Sequence, residues 1–153
     1  MYLEQAYSLN PFHPRRVMEV GYAFLFLGDT ERARKLLNRH LLLNPEPDDF
    51  YYMDLGLLSF VEGDLDRSAS YLELIANPDI WGLLYRAMTA KAGALPSEAK
   101  IAAFLDRLRS IWPSDVPMTS DTVVAWVSKH NPFQSSETEH RFLSTVRDIL
   151  PWA

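Results

Sequence analysis

Between residues 15 and 27 the apolar side chains Val17, Val20, Phe24 and Leu27 recur at steps of three and four, with charged residues such as Arg16 and Glu19 between them. That spacing predicts an α-helix with one buried stripe. Gly28 ends it, and Asp29 or Thr30 supplies a short side-chain oxygen for the free amides at the start of a second helix. The second helix carries Ala33, Leu36, Leu37, His40, Leu41 and Leu43. Asn44-Pro45 closes it, because a residue before proline avoids helical geometry. The plan then repeats, with a helix over 50–62, a turn at Gly63-Asp64, a helix over 65–76 and a stop at Asn77-Pro78.

The punctuation is periodic. Pro11, Pro45, Pro78 and Pro113 are separated by 34, 33 and 35 residues, and Gly21 to Gly56 and Gly28 to Gly63 are both 35 apart. A period in the mid-thirties, with glycine in the middle and proline at the end, predicts stacked helix-turn-helix units. A third unit over 79–113 has weaker markers: Gly93 as its turn, Ala99 one residue late, and the glycine of its first helix replaced near Arg86. Residues 2–10 match a second helix alone, with Ala6 and Pro11 in register, so the chain is expected to begin inside a repeat, as a fragment of a longer protein. After Pro113 the period stops. PSDVPMTSD reads as a linker, followed by helices over 120–129 and 136–150, the last with Ser136 and Glu139 at capping-box spacing.

These residues resemble the tetratricopeptide repeat family. The match lies in Gly21, Gly28, Ala33, Leu37 and Pro45 of one unit and Gly56, Gly63, Leu72 and Pro78 of the next, with Ser68, His40 and Ile75 as departures at positions where the family prefers alanine. The resemblance implies an all-α fold, a right-handed α-α superhelix, with a two-helix carboxyl-terminal tail. Its divisions would be 1–113 for the repeats (a partial unit 1–13, then about 14–47, 48–78 and 79–113) and 114–153 for the linker and capping helices. The segments KHNPFQSSETEHRFLSTVRDILP and NPEPDDFYYMDLG are further similar to the carboxyl-terminal repeat region of bacterial class III adenylate and guanylate cyclases and related regulators. No cyclase catalytic motif is present in this chain.

Composition narrows the function. Among 153 residues, 15 are basic and 20 acidic, a net charge of -5 that draws the chain onto neither phosphate backbones nor anionic lipid. There are no cysteines, which removes thiol catalysis and thiolate metal sites and fits a reducing compartment. The densest apolar stretch, 21–28, is far shorter than the roughly 20 residues of a membrane-spanning helix. A cytoplasmic protein without nucleic-acid or membrane partners is expected.

Candidate chemistry is sparse. His13, His40, His130 and His140 are scattered without metal-ligand spacing, so neither metal nor cofactor is expected. Ser97-Glu98-Ala99-Lys100 has the S-x-x-K pattern of a serine nucleophile beside a lysine, but K-T-G is absent and a helix start is the simpler account. Asp48, Asp49, Asp64 and Asp66 sit at predicted helix beginnings, where a carboxylate favours the free amides. Arg32, Arg34, Lys35 and Arg39 are read as a solvated helix face.

The informative surface is the one the resemblance places inside a groove: Met18, Tyr22, Leu25 and Phe26 from one unit, Met53, Leu57, Phe60 and Val61 from the next. Of these, Met18, Tyr22, Phe26, Met53, Leu57 and Phe60 are the expected contacts for a protein or peptide segment, unless the chain's own tail fills the groove. The lysines, arginines and asparagines with which some members grip a partner's terminal carboxylate are missing there. Tyr2, Leu3 and Tyr7 mark an open end where a homodimer is expected. The resulting expectation is a non-catalytic scaffold or protein-binding module of a larger bacterial regulator, with the regulatory region of a signalling enzyme such as a nucleotide cyclase as the alternative.

Overall fold

Short oxygen-bearing side chains determine where the helices begin. The computed structural model describes residues 2–94 and 96–150, apart from the side chains of Leu3 and Ala6. Within it Asp29, Asp48, Asp64 and Asp79 accept from the amides of Arg32, Tyr51, Arg67 and Gly82 at 3.1, 3.3, 3.1 and 2.9 Å. Each satisfies a donor that a helix start leaves free. The elements are α1 (Tyr2–Leu9), α2 (Pro14–Phe26), α3 (Thr30–Leu43), α4 (Asp49–Glu62), α5 (Leu65–Glu73), α6 (Ile80–Ala92), α7 (Glu98–Ile111), α8 (Ser120–His130) and α9 (Ser136–Ile149). The described residues are all-α, without a strand.

Helices α2/α3, α4/α5 and α6/α7 pair as hairpins, and α2, α4 and α6 also touch in succession, α4 lying against both. The eighth residues of these three helices are Gly21, Gly56 and Ala87, so the third unit keeps a small side chain at the register position, one residue after Arg86. A Cβ on Gly56 would lie 2.6 Å from Leu72 Cγ, and one on Gly21 would lie 3.2 Å from Leu36 Cβ. The hairpin turns use Gly28 and Gly63 at φ 84°, a left-handed conformation that favours glycine. Gly93 ends α6 with φ -64° instead, and the residue buried at the start of α7 is Ile101 rather than Ala99, which is exposed.

Two local expectations are corrected. The second helix of the middle unit ends at Glu73, not at residue 76, because side chains from other helices take over its last backbone groups. Arg86 of α6 donates to the carbonyls of Leu72 (Nε, 3.0 Å) and Ile75 (Nη2, 2.9 Å), while the Asp49 carboxylate accepts from the amides of Ala76 and Asn77, each at 3.1 Å. At α9 the capping residue is Ser135, whose hydroxyl accepts from Thr138 N, and Glu139 turns away to accept from Ser128 Oγ at 3.1 Å. A reciprocal box forms at α8 instead, between Thr119 and Thr122.

The tail folds back onto the hairpins. Trp112 Nε1 donates to Val116 O at 3.0 Å, which closes the expected linker into a turn. Trp126 of α8 stacks on Trp81 of α6 with ring centroids 4.5 Å apart. Phe142 of α9 sits among Phe60, Tyr85 and Phe133, and Arg141 donates to Val61 O. The Gln134 amide donates to Phe26 O at 2.9 Å. Among the described residues no helix is long and apolar enough to cross a membrane.

Candidate functional site

The tail divides the expected contact residues in two. Phe26 is buried against Phe133 at 4.9 Å between centroids, Phe60 is buried against Phe142 at 6.1 Å, and Leu57 is buried as well. The chain itself covers this part of the face. Met18, Tyr22 and Met53 are half-buried and border an open cleft of about 540 Å³ between α2 and α4, together with His40, Asp48, Phe50 and Asp54. Phe26, Leu57 and Phe60 therefore do not share a free surface with these three.

Asp54 gave no signal in the sequence. It is the sixth residue of α4, too far along to cap the helix, and lies one residue past Met53 in a run that reads as a buried stripe. In the structure it is 7% exposed and has neither a hydrogen bond nor an ion pair among the described residues. Burial, and then the negative charge of Asp48, push its carboxyl well above the ordinary range. The Tyr22 phenol is pushed up by burial and by the nearby Asp54 charge, against a hydrogen bond with Tyr85. The Tyr85 hydroxyl donates to Asn131 Oδ1, and Asn131 Nδ2 donates to Val127 O, both at 3.0 Å. These two bonds tie α6 to the end of α8.

His40 is a second buried polar group at the cleft, 4% exposed. Its Nδ1 lies 2.9 Å from Pro14 O, and since a carbonyl only accepts, Nδ1 carries the proton. Nε2 is left buried without a hydrogen-bond partner among the described residues. The rim is different. Arg15 and Arg16 both pair with Glu19 at 3.0 Å, and Asp48 caps α4.

The other candidates have local roles. His13 precedes α2, and His130 and His140 are exposed, with His130 beside Trp81 and Trp126. Ser97 caps α7 by accepting from Lys100 N at 3.4 Å. The basic run on α3 is not a single solvated face: Arg32 pairs with Glu4 and Asp29, Arg34 clasps Glu62 and Ser59, and Arg39 lies over the rings of Tyr7 and Phe12. Lys35 is exposed. Of the residues expected to self-associate, Tyr2 is exposed, Tyr7 is half-buried against the core, and the Leu3 side chain lies outside the described residues. A larger cavity, about 640 Å³, separates α5 from α7, but Arg86 in its wall is already held by the Leu72 and Ile75 carbonyls. No family model, curated protein or solved structure matches this chain.

Proposed function

We propose that this chain is a non-catalytic protein-binding module of the tetratricopeptide-repeat kind, acting as a scaffold in a cytoplasmic, bacterial signalling assembly. The observation that carries the reading is the open cleft between two successive first helices, walled by Met18 and Tyr22 from α2 and Met53 from α4. Flexible thioethers beside an aromatic ring adapt to varied apolar side chains, and a groove between helices accepts an extended or helical segment. Stacked hairpins with a period in the mid-thirties support the family reading. The tail supports a narrowed binding surface, since it covers Phe26 and Phe60 and leaves the α2–α4 cleft open.

Selection of a displayed library of random linear peptides against the full chain tests the proposal. Enriched peptides should bind the parent and lose about ten-fold or more in affinity to Met18→Asp, with the helical circular dichroism of the variant unchanged. A selection that enriches nothing, or peptides indifferent to Met18→Asp, would overturn it.

A further inference from the structure

Asp54 is the unusual aspartate of this protein. Asp29, Asp48, Asp64 and Asp79 cap helices and Asp49 holds two backbone amides, so each of these carboxylates has hydrogen-bond donors. Asp54 is equally short and far more buried, yet it meets no donor among the described residues. Native proteins rarely leave such a group without a donor, and since the Asp54 oxygens are not among the enclosed unpaired atoms of the described residues, the carboxylate keeps contact with the cleft it lines. His40 Nε2, by contrast, is enclosed and without a hydrogen-bond partner among the described residues. When ionised, the Asp54 carboxylate only accepts, so it calls for a donor. A group entering the cleft would meet that need by donating to the carboxylate and bringing positive charge.

The cations of the protein do not supply it. Arg15, the basic residue on the cleft wall, is turned to Glu19 at 3.0 Å. A metal ion is a poor fit, since no group of three or more histidine, aspartate or glutamate ligands gathers among the described residues. An anion would meet Asp48 and Asp54 with like charge. The walls above the carboxylate are Met18, Tyr22, Phe50 and Met53, which suit an aliphatic stem.

We propose that the α2–α4 cleft takes a cationic side chain, lysine or arginine, from a bound protein segment, with Asp54 as counter-ion at the floor and Met18 and Met53 along the stem. This rests on the protein-binding reading and names the chemistry it recognises. The pairing supplies donors and charge to a carboxylate that borders the cleft.

The test uses the full chain with carbon-13-labelled methionine methyls, titrated with n-butylguanidinium and n-butylammonium and, as neutral counterpart, n-butanol. The cations should shift Met18 and Met53 saturably, about ten-fold or more tightly than the alcohol, while buried Met88 serves as the unshifted reference. Asp54→Asn should bring the cations down to the level of the alcohol. Equal binding of butanol and the cations, no shift with either cation, or cation affinity unchanged by Asp54→Asn would overturn the proposal. If that variant does not fold, the comparison of cation and alcohol on the parent chain decides. Failure here stays separate from failure of the broader reading. Selected peptides that lack lysine and arginine but remain sensitive to Met18→Asp would remove the cation pocket and leave the peptide groove.

Discussion

The Tyr85 hydroxyl donates to Asn131 Oδ1 at 3.0 Å across 46 residues of chain, both side chains being buried. This bond joins the tail to the third hairpin behind the cleft floor. Tyr22, part of the wall that a bound segment would touch, lies near Tyr85.

Tyr85→Phe leaves Asn131 Oδ1 buried without its donor. Loss of about 1 to 3 kcal/mol is expected, the cost of an unsatisfied buried acceptor. Urea melts followed by tryptophan fluorescence should show it, because Trp126 on the tail stacks on Trp81. An unchanged midpoint would mean that the bond does not hold the tail.

The pH dependence of stability should carry the signature of Asp54. Its folded carboxyl lies well above the ordinary 3.8, raised by burial and then by Asp48; Tyr22 of α2, Tyr85 of α6 and His40 of α3 are the other titratable groups around it. A raised carboxyl binds its proton more tightly in the folded state. Its contribution is fully present below the unfolded value and is lost as pH rises toward the folded one. As pH rises from about 4 toward neutrality, the stability of Asp54→Asn relative to the parent should improve. Melts across that range showing a constant difference would contradict the assignment.

Two glycines that look alike in the sequence should behave differently. Gly56→Ala places a Cβ 2.6 Å from the Cγ of fully buried Leu72, so repacking at about 1 to 3 kcal/mol is expected. At Gly21 the nearest atom is 3.2 Å away, and the gain of about 1 kcal/mol in helix propensity should offset much of the crowding in Gly21→Ala. Thermal melts of the two variants should rank them in that order.

Tyr2 and Phe12, 90% and 70% exposed, give the amino-terminal end an apolar surface. Concentration-dependent self-association is the expected outcome, abolished by Tyr2→Glu combined with Phe12→Glu. Sedimentation velocity on both chains checks it, and a parent that stays monomeric at every concentration removes the dimer.

The sequence by itself determined the helices and their order, because those signals act within one or two turns. The aspartates that cap α3, α4, α5 and α6, the glycines that turn after α2 and α4, and the apolar steps of three and four are all local. The tertiary structure decided which of the apolar faces stay open. Nothing in Phe133 or Phe142 states that they cover Phe26 and Phe60, since aromatic burial has no direction until the partner is in place. The end of α5 was likewise set from outside, by Arg86 and Asp49, whose guanidinium and carboxylate displace helical hydrogen bonds that propensity alone would have continued. Asp54 is the sharpest case. One residue from Met53 it reads as an ordinary polar position on α4, and only the packing of α2, α3 and α6 around that helix leaves it mostly buried on the cleft without a donor among the described residues.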